Sequence, residues 1–469
     1  MLEREWWAPR AWLQQRGHGG WAEGVLLRAG ADGHWAEVRA GVPAAPEGVT
    51  PLHGPVLPGL VNAHSHAFQR AFAGLSERRE AEADDFWSWR DRMYRVALRI
   101  SPQQLQAVAA MLYAELLCGG YTQVCEFHYL QHRPDGQAFD DPLAMSWALA
   151  EAAEATGIGL TMLPVLYERA GFHQPTLRED QRRFRTDAAW VAQAQRSVQR
   201  AGRPRLNAGV AIHSLRAARP DSITTLLKLI DGQDGPVHIH VAEQTQEVDD
   251  CLAATGRRPL EWLLREIPID ARWQLVHATH TTLGEIDEVA ASGAGVVICP
   301  STEGNLGDGL ADIVNWLHAG VPMAVGSDSH VTRAWPEELR WLEYGQRLLH
   351  RRRNIAAAPG QGQPASAARL FDAALQAGAG AAGLGPWGLQ PGARADFLVL
   401  DAQDSALLGV PAKHTLDALV FSSPTQAISE VYVAAERMVR QGRHRHHTQI
   451  AQAFGDAMQA LWAEPASAA

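Results

Sequence analysis

Through the middle of the chain, short unbroken apolar runs alternate with longer segments in which apolar residues return every three or four positions. The runs are VLPGLVNAHSH, TQVCEFHYL, GLTMLPVLYE, RLNAGVAIHSL, PVHIHVAE, WQLVHAT, GAGVVICPS and PMAVGSDS. The segments between them, among them PQQLQAVAAMLYAELLC and DPLAMSWALAEAAEAT, carry the helical period. Strands that are apolar on both sides suit a parallel sheet covered on both faces. Eight strand-then-helix units predict an α/β chain folded as a (β/α)8 barrel in preference to an open doubly wound sheet.

Both ends of the chain have a different texture. GVLLRA and WAEVRA near the start, and ARADFLVLDA and AISEVYVAAERMVRQGRH near the end, read as small antiparallel strands broken by Gly and Pro. Neither end looks self-sufficient, so residues 1–57 and 388–447 are expected to pair into one small β-sandwich domain. Residues 58–387 then form the barrel, and 448–469 a C-terminal helix or tail. The Gly/Ala-rich stretch from Ala373 to Gly385 reads as the last helical connection into the β-domain. PEELRWLEYGQRLLHRRRN is an amphipathic helix suited either to covering the barrel or to forming a homodimer face.

Chemistry in such barrels sits at the C-terminal ends of the strands. The polar residues at those ends are His64 and His66, His128 and Tyr129, His213, His240 and Glu243, His277, and Asp328. Side chains two apart on a strand share a face, so His64 and His66 point the same way. An isolated HxH is as consistent with satisfied core histidines as with metal ligands. Joined to VHIHVAE and VGSDSH at two later strand ends, it predicts a metal cradle of His64, His66, His240 and Asp328. Neutral imidazoles with a carboxylate suit zinc and its relatives, and a catalytic site keeps one position for water. Glu243, three residues past His240, is placed to move protons; its blander reading is a helix N-terminal carboxylate. His277, in LVHATH, would steady a developing oxyanion, with His280 as a competitor assigned to the loop.

Composition narrows the class. Apolar residues make up 46% and charged residues 20% of 469, ordinary for a protein that buries a core. A formal net charge of -10 argues against a nucleic-acid partner. The four cysteines form no CxxC pair and read as buried thiols of a reducing compartment. MLEREWWAPRAW lacks the layout of a signal peptide, and no run approaches the roughly 20 apolar residues that span a bilayer. The expectation is a cytoplasmic protein with no membrane partner.

The set PGLVNAHSH, HVAE, LVHATH and VGSDSH resembles the amidohydrolase superfamily, and more narrowly its deaminases that use one metal. Binuclear relatives carry a lysine at the end of the fourth strand, whereas here that strand ends in IHSLR and Lys228 lies in a helical run. NAHSHAFQRAFAGL, DFWSWRDRMY, CEFHYLQH and CPSTEGNLGDG are similar to stretches of the formimidoylglutamate deiminases. The resemblance implies hydrolysis of N-formimidoyl-L-glutamate to N-formyl-L-glutamate and ammonia, a step of histidine degradation. It implies one divalent metal per chain, with zinc ahead of iron, manganese or nickel, and Glu243, His277 and Asp328 as catalytic groups. It also implies substrate contacts from Gln69, Arg90, Tyr129, His213 and Arg216. Two arginines fit a small dicarboxylate substrate. Two other readings stand beside this one: a superfamily deaminase acting on a guanine- or S-adenosylhomocysteine-type heterocycle, and, more remotely, a non-catalytic metal-binding protein whose tail QGRHRHHTQ holds metal.

Overall fold

The eight parallel strands are β1 Leu60–Ser65, β2 Tyr121–His128, β3 Gly159–Leu166, β4 Val210–Ser214, β5 Val237–Val241, β6 Trp273–His277, β7 Gly295–Ile298 and β8 Met323–Val325. They hydrogen-bond in chain order in a computed structural model, which describes residues 4–15, 18–78, 86–423 and 427–463. The seam between β1 and β8 is joined by a parallel bridge from Ser65 to Asp328. Every residue of β1, β2 and β3 is buried, as the unbroken apolar runs require.

Helices cover the outside. The first long one, Pro102–Cys118, starts where its sequence says it should. Ser101 Oγ accepts from Gln104 N at 3.2 Å, and Gln104 Oε1 accepts from Ser101 N at 2.9 Å. This reciprocal cap is followed by Pro102, whose missing N–H is harmless in a first turn. The amphipathic segment near residue 340 forms the helix Trp335–His350, with Trp335, Leu339 and Leu342 buried.

Two predicted strands are each divided in the structure. VLPGLVNAHSH serves two sheets: Val56–Pro58 joins the terminal sheet and Leu60–Ser65 opens the barrel. Gly59 makes the change, because a Cβ there would lie 2.4 Å from Thr122 Oγ1. RLNAGVAIHSL likewise splits into Leu206–Ala208, which pairs with β3, and β4.

The two chain ends build a second, nine-stranded sheet. Its order is Arg443–His444, Glu436–Arg440, Ile428–Val433, Phe397–Leu400, Val56–Pro58, Arg4–Gln15, His18–Ala29 and Trp35–Arg39, with Thr50–Pro51 added beside Arg4–Gln15. The two layers of the small sandwich are thus continuous through their hydrogen bonds. They fold over a common aromatic core in which Phe397 and Tyr432 stack at 4.2 Å and Trp6 meets Phe397 at 5.2 Å. A bridge from His34 to Arg394 closes the curl.

The run QGRHRHHTQ is solvent-exposed for most of its length, with one buried exception. His444 is buried, with its Nε2 2.8 Å from the Thr156 carbonyl, and the helix His447–Trp462 packs on Pro102–Cys118. Residues 464–469 of the expected tail lie outside the described residues. Among the described residues, no helix is long and apolar enough to cross a membrane.

The helix Ser366–Ala381 closes the floor of the barrel. Inward-facing polar side chains meet the carbonyls at its C-terminal end: Cys125 and His238 reach Ala381 O, while Thr161 and Asn207 reach Ala382 O. These carbonyls have no partners within a helix, so the barrel's polar interior supplies them. The Gly/Ala composition is what close approach demands, since a Cβ on Gly378 would lie 2.9 Å from Val61 Cβ.

This helix also ties the two sheets together. Asp372 accepts from Trp12 Nε1 at 2.9 Å and from Gly19 N at 2.8 Å. Replacing Asp372 with Ala leaves the indole N–H, the more deeply buried of the two donors, without its partner. That change should lower stability by about 2–3 kcal/mol, measured as an earlier thermal midpoint, while leaving metal content unchanged.

Candidate active site

The seam between β1 and β8 assembles the first half of the site. Asp328 N donates to His64 O at 3.0 Å, and His66 N donates to Asp328 O at 3.3 Å. Asn62 and Ser327 share two buried hydrogen bonds: Asn62 Nδ2 donates to Ser327 Oγ at 2.7 Å, and Ser327 N donates to Asn62 Oδ1 at 2.9 Å. His330 lies 3.0 Å from Ser327 Oγ and 3.1 Å from His66 O. These contacts carry His64, His66 and Asp328 to one point. Asp328 Oδ1 lies 3.3 Å from His66 Nε2 and 3.5 Å from His64 Nε2.

β5 delivers the third imidazole. His240 Nε2 lies 3.0 Å from His64 Nε2, and His66 Nε2 lies 3.2 Å from the same atom. Of the two histidines in VHIHV only His240 belongs here; His238 faces the barrel floor.

The donor set can be tested for a cation from its own protons. His66 Nδ1 faces Phe127 O at 2.8 Å, and His240 Nδ1 faces His213 O at 3.0 Å. A carbonyl only accepts, so each Nδ1 carries the hydrogen and each Nε2 presents a lone pair inward. One proton on His64 cannot satisfy two further nitrogens and a carboxylate. Protonation is also opposed by burial, which pulls His64 down to about 3 and lowers His66 and His240. A divalent cation fits these three nitrogens and one oxygen.

The second half of the site surrounds His277. Its Nδ1 lies 3.2 Å from Glu303 Oε1, while Nε2 lies 3.7 Å from Glu243 Oε1 and 3.8 Å from Asp328 Oδ2. Burial alone would lower its pKa, but the carboxylates of Glu243, Glu303 and Asp328 lift it to about 10. Glu243 is pushed up to about 7 by burial. Asp328 goes the other way: against desolvation, His64, His66 and His277 hold it well below the usual carboxylate range. His277 and Asp328 both sit at positive φ, 69° and 46°, a backbone region that side chains of this size adopt under constraint.

A cleft of about 570 Å³, counting its open mouth, leads to this centre. All five sequence-predicted contacts line it: Gln69, Arg90, Tyr129, His213 and Arg216. Gln69 Nε2 donates to Tyr129 OH at 3.2 Å, and the Tyr129 ring packs 5.1 Å from His66. Arg216 is oriented by Glu247, 4.0 Å away, which also accepts from Glu243 N at 3.3 Å. His128 and His280 are not among the residues that line the cleft.

Several participants escaped sequence reasoning. Glu303 sits in CPSTEGNLGDG, where nothing local marks it as the partner of His277; it also accepts from Cys299 N at 2.9 Å. Glu126 is buried in β2 and takes bonds from Ser65 Oγ at 2.8 Å and Ala67 N at 2.5 Å, either side of His66. Tyr94 and Tyr167 line the cleft. Tyr167, just past the end of β3, was available to the strand-end rule.

Residues 56–438 match the Amidohydrolase family. The chain is 46% identical over 439 residues to the formimidoylglutamate deiminase of Pseudomonas aeruginosa, covering 93% of this chain and 95% of that one. The crystal structure of an amidohydrolase from Brucella melitensis superposes with a TM-score of 0.92 at 41% identity, covering 98% of this chain and 100% of the other. An adenosine deaminase from Xanthomonas campestris with bound zinc shares the fold at a TM-score of 0.79 and 22% identity, over 97% and 98% of the two chains.

Gly326 tests the seam directly, because a Cβ there would lie 2.6 Å from His64 Cβ and 2.9 Å from His64 N. Gly326→Ala is expected to lower stability by about 1–3 kcal/mol and to weaken metal retention, measured by metal analysis after dialysis against a chelator.

Proposed function

Because the chain belongs to the amidohydrolase family, we propose that it hydrolyses N-formimidoyl-L-glutamate to N-formyl-L-glutamate and ammonia. The observation that carries this reading is the pairing of one cleft with two chemistries. Its inner end gathers His64, His66, His240 and Asp328 beside Glu243 and His277, and its walls carry Arg90 and Arg216. An amidine at the inner end and two carboxylates along the walls match that arrangement. A purine would be served by stacking faces and amide contacts more than by two guanidiniums.

His64, His66, His240 and Asp328 would hold one divalent metal, zinc in the first instance. When bound, such an ion lowers the pKa of a ligating water to about 7 and so supplies a nucleophile at neutral pH. Glu243 takes a proton from the attacking water and returns it to the amidine nitrogen; as the second water proton follows the same route, the bond from that nitrogen to the formimidoyl carbon breaks and it departs as ammonia, leaving the formyl oxygen. His277 donates from Nε2 to the oxygen that adds to that carbon, and Glu303 keeps its Nδ1–H directed away from the reaction. Asp328, held ionised, would serve as a ligand and as a hydrogen-bond acceptor for the attacking water. Arg90 and Arg216 bind the two carboxylates, and Gln69, Tyr129 and His213 fix the backbone of the substrate between them.

Ammonia release from formimidoylglutamate and from guanine, measured side by side, separates this activity from a heterocycle deaminase. Glu243→Gln should keep about one metal per chain and lose about 10²–10⁴-fold in kcat; full activity would remove Glu243 from proton transfer. Arg216→Met should raise KM for the dicarboxylate by about 10–100-fold, with a smaller change in kcat. An unchanged KM would remove Arg216 from carboxylate binding.

A further inference from the structure

Gln181 lies on the short 3-10 helix Glu179–Phe184, buried behind the cleft wall. Its Oε1 accepts from Arg178 N at 3.0 Å. A backbone N–H only donates, so this bond fixes which end of the amide is oxygen and turns the NH2 group toward the cleft. That NH2 donates to Tyr167 OH at 3.0 Å and to Tyr94 OH at 3.3 Å. Both phenols therefore accept from behind; the Tyr167 hydroxyl also bonds with Tyr94, and the O–H groups can turn from each other to an acceptor in the cleft.

Both phenols line the cleft with Arg90 and Arg216. The Arg90 guanidinium lies 5.7 Å from the Tyr94 ring centre. Burial first, and then Tyr94, hold the Tyr167 hydroxyl far above its usual pKa, against the pull of Arg216 and Arg90. Tyr167 thus stays a neutral donor between two cations. A carboxylate offers about four lone-pair sites, so one guanidinium fork leaves room for phenolic donors.

We propose that Tyr94 and Tyr167 donate hydrogen bonds to the substrate carboxylate remote from the amidine, with Gln181 as the positioning residue that aims them. The assignment rests on the formimidoylglutamate reading. Tyr129 is packed against the candidate ligand His66 and bonds Gln69, which places that pair at the reacting end. Tyr94 and Arg90 come from the helix Phe86–Ala97, which supplies none of the metal or proton-transfer groups. Charge alone would bind any anion; two fixed O–H donors select a carboxylate of defined position.

Glutarate, titrated calorimetrically into the metal-loaded protein, tests this without turnover. Tyr94→Phe and Tyr167→Phe, which remove only a hydroxyl, should each weaken glutarate binding about tenfold. Gln181→Met should weaken it in the same direction and add little to a variant lacking both hydroxyls, because the three groups act as one unit. Kinetically, each phenylalanine variant should raise KM for formimidoylglutamate far more than it changes kcat. With N-formimidoyl-L-norvaline, whose methyl replaces the remote carboxylate, variants and wild type should share one kcat/KM. Wild-type glutarate affinity in both phenylalanine variants, or equal losses with the norvaline compound, would overturn the proposal. Glutarate binding that both phenylalanine variants weaken, in a protein that releases no ammonia from formimidoylglutamate, would instead overturn the activity and leave the two phenols as carboxylate donors.

Discussion

Closure of the barrel between its first and last strands is the constraint on which the rest depends. Two sequence-distant motifs, NAHSH and GSDSH, interlock there through backbone bonds at His64, His66 and Asp328 and through the buried Asn62–Ser327–His330 set. A parallel sheet closes only when its last strand meets its first in register. Here the same register sets the spacing of three of the four candidate metal ligands. Fold and site are therefore one piece of geometry at this seam, and Gly326 is small because His64 lies directly against it.

Around that seam the protein has arranged charge among buried groups, where unbalanced charges are costly. Glu303, Glu243 and Asp328 surround His277, and Glu247 lies between Arg216 and the Glu243 backbone. His277 and Arg216 are the positive neighbours of these carboxylates, and Glu303 and Glu247 also accept from backbone N–H groups. Asp308 shows the limit of this balance: burial and then Glu243 push its carboxyl up to about 9, and Gln244 donates to it. Such opposed shifts within a few ångströms are a signature of acid–base chemistry.

Much of the architecture could be read from period and order. Eight apolar runs separated by helical segments specify strands covered on both sides, and strand-end polarity follows from the barrel's own asymmetry. The boundaries were less legible. VLPGLV looks continuous, yet Gly59 hands it from one sheet to another because Thr122 leaves no room for a side chain. The Gly/Ala-rich stretch read as a connection into the β-domain belongs to the helix Ser366–Ala381, whose residues are small because it enters the barrel floor and its C-terminal end offers carbonyls to Cys125, Thr161, Asn207 and His238. His444, in a run that reads as solvated, is buried because its ring reaches Thr156.

The sequence by itself determined the candidate ligand types, their order along the chain and the strand ends that bear them. Those properties are local: a strand's alternation says which side chains share a face, and the barrel's direction says which end is open. Only the tertiary structure decided the partners. Nothing near Glu303 announces His277, nothing near Glu126 announces the Ser65 hydroxyl and the Ala67 N–H either side of His66, and nothing near Gln181 announces two tyrosines 87 and 14 residues away. Such pairs form across strands and loops that meet only when the barrel closes, and local propensity carries no information about which distant groups will share a buried volume.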